Sequence, residues 1–126
     1  MRLYQPPAGL EIITHFKLPK VQTWGSLVDR QYKEQVRAAA NLLPYAGKGY
    51  AWFAFDIVCR VAFRRGRIAN QVPDVENIPK LIVDAFTGLL YPDDNLHYVR
   101  GVQVEAELST DETEYAEVWI YGCPKD

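Results

Sequence analysis

The segment FAFDIVCRVAFR, residues 53–64, decides the fold because polar and apolar residues alternate along it. Such alternation is typical of a β-strand that buries one face against a core. A strand of this kind needs partner strands and a covering layer, which the flanking segments must supply. The positions predicted to point inward are Phe53, Phe55, Ile57, Cys59, Val61 and Phe63, and those predicted to point outward are Ala54, Asp56, Arg60 and Arg64.

Two elements are predicted before this strand. Residues 10–18 form a short apolar-rich run and are interpreted as a first strand. A helix is predicted to open at Gly25-Ser26, where Ser26 and Asp29 match a capping pattern, and to end at Pro44. Its apolar stripe is Val28, Tyr32, Val36, Ala39 and Leu43. Its outer face is Arg30, Lys33, Glu34 and Arg37, interpreted as a solvated surface, with contact to phosphate as the alternative.

Three elements are predicted after the strand. A second helix is predicted over residues 75–90, with Pro79 tolerated near its start. Its apolar stripe is Ile78, Leu81, Ile82, Ala85, Phe86, Leu89 and Leu90. Two strands follow, and the short connection over residues 109–113 predicts that they form a hairpin. The apolar faces of these strands are Val102, Val104, Ala106 and Leu108 in one and Ala116, Val118 and Ile120 in the other.

The sequence therefore predicts an α+β fold in the order β-α-β-α-β-β, with a mixed four-stranded sheet packed against two helices. The 126 residues suffice for one core, so residues 1–126 are treated as a single domain. Apolar residues are 48% of the chain and charged residues 24%, which excludes a disordered or low-complexity protein. Because we find neither a signal-type apolar run nor a membrane-length segment, a soluble, cytoplasmic protein is predicted. Cys59 and Cys123 follow no metal-ligand spacing and are predicted to be reduced thiols, Cys59 with a packing role.

Candidate chemistry concentrates in PDVENIPKLIVDAFTGLLYPDD, residues 73–94. Asp74 and Glu76 precede the apolar stripe of the second helix, and Asp93 and Asp94 follow it. Hard divalent cations such as Mg²⁺ bind oxygen donors of this type, and a nearby lysine would suit a phosphodiesterase site. Helix-cap and turn roles explain the same carboxylates from spacing alone.

The pattern Asp74-x-Glu76-Asn77-x-x-Lys80-x-x-x-Asp84-Ala85, followed by Asp93-Asp94, resembles the signature of the RusA family of Holliday-junction resolvases. The resemblance implies a homodimeric, Mg²⁺- or Mn²⁺-dependent endonuclease that cuts branched DNA in recombination and repair. Such enzymes are commonly encoded by bacterial prophages and phages. Carried over by position, the resemblance implies that Asp74, Glu76 and Asp94 are metal ligands and catalytic residues and that Asp93 is a further metal ligand. It also implies that Lys80 is an essential catalytic basic residue near the scissile phosphate.

Two features depart from the family pattern. Glu76 stands where the family usually has Asp, which moves the carboxylate outward by about one methylene group. The chain has 16 acidic and 14 basic residues, giving a net charge of −2, whereas proteins that bind DNA generally carry excess cations. Reduced activity, a changed metal preference or no activity are open outcomes of the Glu76 departure, and the alternative function is a non-catalytic α+β dimer that binds DNA or protein. The cations predicted to contact DNA are Arg64, Arg65, Arg67, Lys17 and Lys20.

Helix geometry adds a prediction about assembly. If the second helix spans residues 75–90, its ends are roughly 24 Å apart. Carboxylates that share Mg²⁺ must approach within roughly 4–5 Å of each other. Either the helix is shorter than its apolar stripe implies, or a second subunit completes the site. The prediction is a two-fold dimer in which Asp74 and Glu76 of one chain face Asp93 and Asp94 of the other. Asp84 lies one turn after Lys80, so an ion pair between them is as good an account as a catalytic role.

Overall fold

A computed structural model describes residues 8–21, 29–62, 75–111 and 113–125. Within these ranges the predicted element order and the α+β class are confirmed, with two helices on one face of a four-stranded mixed sheet. No helix in the described ranges is long and apolar enough to cross a membrane. The strands are β1 (Glu11–Leu18), β2 (Tyr50–Ala62), β3 (Val99–Ser109) and β4 (Tyr115–Pro124), and the helices are α1 (Asp29–Ala40) and α2 (Ile78–Asp84), which a 3₁₀ turn (Val75–Asn77) precedes.

The strand order is β1-β4-β2-β3, so the predicted hairpin of β3 and β4 is wrong. β4 runs antiparallel to both β1 and β2 and lies between them, whereas β3 pairs in parallel with β2 at the edge. A parallel pair needs a long connection, which the segment containing α2 provides. Alternation predicts which face of a strand is buried but not which strand lies beside it. In its place between β1 and β2, β4 has wholly buried inner residues, with Ala116, Val118 and Ile120 each at 0% exposure.

The alternation of β2 is confirmed on its helix-facing side, where Phe53, Phe55, Ile57, Cys59 and Val61 are buried. Phe63 and Arg64 lie outside the described residues. The opposite face departs from the prediction, because Asp56 is only 1% exposed. Asp56 pairs in register with Trp119 of β4, which is also buried. The outer face of the central strands therefore excludes solvent at this pair of residues.

The apolar residues of β3 share the helix-facing side of the sheet, as predicted, because they pair in register with the buried residues of β2. Their burial is incomplete, since Val102 is 45% exposed and Leu108 52% exposed. The reason is the edge position of β3, where the helical layer covers the sheet only in part.

Helix α1 ends at Ala40, before the predicted end at Pro44. Asn41 has a φ of 50°, and a residue in this left-handed conformation commonly terminates a helix. Tyr32 and Val36 are buried as predicted, but the last buried position is Ala40 and not Ala39, and Leu43 is 77% exposed. The predicted helix opening at Gly25-Ser26 lies outside the described residues.

Helix α2 spans Ile78–Asp84 after the 3₁₀ turn, so the predicted second helix is present but its predicted extent over residues 75–90 is too long. After Asp84 the hydrogen bonds tighten, and the amides of Phe86 and Thr87 donate to carbonyls three residues earlier. Gly88 then adopts a φ of 87°, which favours glycine, and its amide donates to the carbonyl of Tyr91 at 2.7 Å. The chain therefore reverses direction over residues 85–91, a segment called the chain reversal below. The apolar stripe continues past the helix because Ala85, Phe86 and Leu90 are buried in this segment.

Gly47 lies where the loop before β2 meets the chain reversal. A Cβ atom at this position would lie 2.3 Å from the carbonyl oxygen of Leu90 and 2.9 Å from its Cα atom. Because both atoms belong to the backbone, Gly47→Ala is expected to lower the free energy of unfolding by about 2 kcal/mol or more. Urea denaturation measures this change. The adjacent exposed Lys48→Ala is the control, expected to change stability by less than about 0.5 kcal/mol. An equally small effect of Gly47→Ala would contradict the close approach of the two loops.

Candidate functional site

A cavity of about 450 Å³ opens between α2, the start of β3 and the segment that joins them. Lys80 and Asp84 reach it from the same side of α2 because they are one helical turn apart. Val99 and Val102 contribute an apolar wall from β3, and Asp94 comes from the connecting segment. The described residues that line the cavity are Pro79, Lys80, Val83, Asp84, Asp94, Val99 and Val102.

The chain reversal after α2 brings Asp94 to this cavity. Tyr91 anchors the reversal, since its side chain is 3% exposed and its hydroxyl donates to the carbonyl of Val83 at 2.5 Å. The Tyr91 ring also packs against that of Phe53 on β2, with 5.5 Å between the ring centroids. Asp94 therefore lies near Lys80 and Asp84 of the helix that precedes it. The predicted end-to-end separation assumed a straight helix over residues 75–90, and α2 is shorter than that. The separation of Asp94 from Asp74, which lies outside the described residues, stays a prediction.

The electrostatics of the cavity place two carboxylates under mutual repulsion. The pKa of the Asp94 carboxyl is raised, first by desolvation, then by the negative charge of Asp84, with contacts to Asp93 adding to the effect. The pKa of the buried Tyr91 hydroxyl is also raised, first by desolvation and then by the charges of Asp94 and Asp84. Both carboxylates therefore act on the Tyr91 hydroxyl, and the charge of Asp84 acts on the Asp94 carboxyl. A bound cation would relieve that repulsion.

Two cations of α1 contact the C-terminal end of α2. The Lys33 ammonium forms an ion pair with the Asp84 carboxylate. One turn further along α1, the Arg37 guanidinium donates hydrogen bonds to the backbone carbonyls of Ala85 and Thr87. These contacts join the two helices, so Lys33 and Arg37 are not simply a solvated surface. The sequence carried no signal for them, because residues of different helices are paired only by the tertiary fold.

Asp93 serves the turn that precedes Asp94. Its carboxylate accepts hydrogen bonds from the Asp94 backbone amide at 2.8 Å and from the Asn95 side-chain amide at 3.2 Å. Asp93 is exposed and is not among the described residues that line the cavity. The turn role left open by the sequence is therefore present, and the role of Asp93 as a metal ligand stays a prediction.

Of the two acidic residues expected on the N-terminal side of α2, Glu76 belongs to the described residues and Asp74 does not. Glu76 is exposed on the 3₁₀ turn and does not line the cavity, and Asp74 lies outside the described residues. Across the described ranges no three histidine, cysteine, aspartate or glutamate side chains form a group that could hold a metal ion. Of the described carboxylates, those of Asp94 and Asp84 line the cavity, and the Asp84 carboxylate is paired with the Lys33 ammonium.

The cations predicted to contact DNA are only partly described. Arg64, Arg65 and Arg67 lie outside the described residues. Lys17 lies on β1, and its ammonium sits 4.4 Å from the ring centroid of Tyr115. Since β1 and β3 are opposite edges of the four-stranded sheet, Lys17 is about 14 Å or more from the strand that lines the cavity. Lys20 follows β1 and is exposed, so any DNA that contacts both the cavity and these lysines must cross the width of the sheet.

The cysteines contribute no nucleophile to the cavity. Cys59 and Cys123 are free thiols, and Cys59 is 2% exposed on the inner face of β2. Burial raises the pKa of the Cys59 thiol to about 11, with the negative charge of Glu114 adding to the effect. A thiol with such a pKa is protonated near neutral pH, which agrees with the predicted packing role.

Comparison of the chain with protein-family models and with curated proteins found no match.

Proposed function

We propose that this protein is a metal-dependent endonuclease that cleaves phosphodiester bonds in branched DNA. The observation that carries the proposal is the meeting of Lys80, Asp84 and Asp94 at one cavity, although a helix end and a chain reversal separate Asp94 from the other two. These residues belong to the segment whose pattern resembles the RusA family. The resemblance implies an essential lysine beside carboxylates. The position of Lys80 beside Asp84 and Asp94 at one cavity is compatible with that arrangement.

We propose Asp94, Asp74 and Glu76 as the ligands of Mg²⁺ or Mn²⁺, with Asp93 as a further candidate; Asp94 lines the cavity, and Glu76 and Asp93 lie outside its described lining. When bound, the ion supplies an activated water and offsets charge on the scissile phosphate. Lys80 binds the phosphate and stabilises the negative charge that develops during cleavage. Val99 and Val102 contribute an apolar wall beside these groups.

The proposed substrate is a four-way junction, and the proposed setting is recombination and repair in the bacterial cytoplasm, with a phage or prophage as the source of the protein. Arg64, Arg65, Arg67, Lys17 and Lys20 are proposed to contact its phosphates. Two symmetric nicks require two equivalent sites, which a homodimer with an isologous interface supplies. Because Lys80 and Asp94 of one chain line one cavity, each subunit contributes both residues to its own site.

A cleavage assay tests this proposal directly. The protein is incubated with an end-labelled four-way junction or a linear duplex of matched sequence, in Mg²⁺, in Mn²⁺ or with a chelator. We expect paired nicks in the junction with either metal, little cutting of the duplex, and none with the chelator. Lys80→Met should lower the cleavage rate by about a hundredfold or more, since it removes the cation expected at the phosphate.

Binding of the junction without cleavage in either metal would contradict the enzyme and favour the non-catalytic DNA-binding alternative. The absence of both binding and cleavage would contradict the substrate class. Sedimentation at the assay concentration tests the homodimer, because a monomer at full activity would contradict it.

A further inference from the structure

Strand β3 lies at the edge of the sheet, and among the described residues no strand pairs with its outer side. Over residues 101–109 its pairing with β2 continues without a register shift, and the segment contains no proline. Every residue from 102 to 108 is exposed or half-buried. The backbone N–H and C=O groups on the outer side of such a strand form a template for a further strand.

The opposite edge of the sheet, β1, is less suited to pairing. The register of β1 shifts between Ile12 and Thr14, and an irregularity of this kind impedes the addition of a strand. β1 has 8 residues, whereas β3 has 11. Pro19, which has no N–H group to donate, follows β1 directly. The sheet therefore offers β3 as its edge for strand addition.

The two faces of β3 select different side chains in an added strand. The helix-facing side is apolar and consists of Val102, Val104, Ala106 and Leu108. The opposite side is polar and acidic and consists of Gln103, Glu105 and Glu107. Residues that lie beside each other on neighbouring strands share a face, and opposite charges in such pairs are stabilising. A complementary strand therefore alternates apolar residues with basic ones.

A second cavity, of about 300 Å³, lies beside the acidic side of β3. It is lined by Val58, Cys59, Glu105, Ala106, Glu107 and Tyr115. The Arg60 guanidinium, 3.4 Å from the Glu107 carboxylate, shows that this surface accepts a cation, and the Glu107 side chain is still 66% exposed. A further guanidinium in the cavity would lie near two carboxylates and an aromatic ring, which bind cations by hydrogen bonds and by cation–π contact.

We propose that the outer edge of β3 binds an extended segment of another protein in which apolar and basic residues alternate. Main-chain hydrogen bonds to β3 hold the segment, and its basic side chains are recognised by Glu105 and Glu107. A second copy of β3 does not fit, because antiparallel pairing about a two-fold axis brings the acidic faces of the two strands together. The same carboxylates repel the phosphates of DNA. Binding at this edge requires neither metal nor DNA.

The test uses a fluorescein-labelled synthetic peptide, as long as residues 101–109, in which valine and arginine alternate. Fluorescence anisotropy measures its affinity for the full chain. We expect saturable binding, and amide hydrogen exchange over residues 101–109 should slow by about tenfold while that of β1 stays unchanged. A peptide of the same composition, with its valines and arginines in separate blocks, should bind at least about tenfold more weakly, because it cannot match both faces of β3.

Two variants test the two faces separately. Glu105→Gln combined with Glu107→Gln should weaken peptide binding by about tenfold, whereas Glu34→Gln on α1 should leave it unchanged. Leu108→Lys places a cation on the apolar face and should weaken binding by a similar factor. Ile12→Lys on β1 is its matched control, since Ile12 is 46% exposed and Leu108 52% exposed. Circular dichroism verifies the fold of each variant, and Leu108→Thr replaces Leu108→Lys if the latter does not fold.

Several results would overturn the proposal. Equal affinity for the block peptide, or unchanged hydrogen exchange of β3 on binding, would show that the peptide attaches by charge without adding a strand. Protection of β3 that grows with protein concentration in the absence of peptide would assign the edge to a second copy of the chain. No saturable binding up to about 1 mM peptide would remove the edge as a binding site. None of these results depends on cleavage of DNA, so the proposed function is tested separately.

Discussion

Asp94→Asn is expected to lower metal-dependent cleavage of a four-way junction by at least about a hundredfold. The substitution preserves the shape of the side chain but removes the negative charge that Asp94 contributes to the cavity beside Lys80 and Asp84. Rates of junction cleavage under single-turnover conditions measure the effect. Glu34→Gln is the control for loss of one acidic charge, because Glu34 lies on α1 and is exposed. Activity of Asp94→Asn within tenfold of the original would remove Asp94 from the proposed site.

The same variant is expected to be at least as stable as the original chain in metal-free buffer at pH 7. Desolvation and the charge of Asp84 raise the pKa of the Asp94 carboxyl, so its ionised form is disfavoured in the folded protein. For a carboxyl whose folded pKa is raised, the relative stability is greatest at low pH and declines as pH rises through the folded pKa. The advantage of Asp94→Asn should therefore shrink below about pH 4, where the unfolded carboxyl is protonated as well. Thermal unfolding of Asp94→Asn and of the original chain, at pH 7 and below about pH 4, measures this difference in stability.

The sequence was sufficient to predict the strands because their alternation reflects burial directly. Phe55 and Ile57 of β2 and Val118 of β4 are all buried as the pattern indicated. Strand neighbours depend on which edges form hydrogen bonds, and alternation carries no information on that point. The sheet order β1-β4-β2-β3 consequently differed from the predicted hairpin. Asp56 shows a second limit, because a polar residue on the outward face of a strand can still be buried.

The candidate site was predictable as a set of residues but not as an arrangement. The segment over residues 73–94 drew attention to Lys80, Asp84 and Asp94, and the three line one cavity. The end of α2 was misplaced because apolar residues are buried in a turn as readily as in a helix. Gly88 was the local signal for the reversal, since a glycine near the end of a helical pattern often marks a C-terminus. The contact between Lys33 and Asp84 joins two helices and had no local signal at all.

Tyr91 anchors the chain reversal, and Tyr91→Ala is expected to lower the free energy of unfolding by about 3–5 kcal/mol. The substitution removes a buried ring that packs against Phe53 and also removes the hydroxyl that donates to the Val83 carbonyl. Tyr91→Phe retains the ring and loses only the hydrogen bond, so it should cost about 1–2 kcal/mol. Urea denaturation of both variants separates the two contributions. Tyr45→Ala is the control, because Tyr45 is 79% exposed and should contribute little.

The effect of Tyr91→Ala on the chain reversal can also be measured as a change in cleavage at the candidate site. Because Asp94 follows Tyr91 closely and reaches the cavity through the reversal, loosening the reversal should release Asp94 from Lys80 and Asp84. Tyr91→Ala should therefore lose most of any metal-dependent cleavage at a temperature where circular dichroism still reports a folded protein, whereas Tyr91→Phe should retain most of it. A Tyr91→Ala variant that costs less than about 1 kcal/mol would contradict the buried anchor. Full cleavage by a destabilised Tyr91→Ala would instead show that Asp94 does not need the reversal to act.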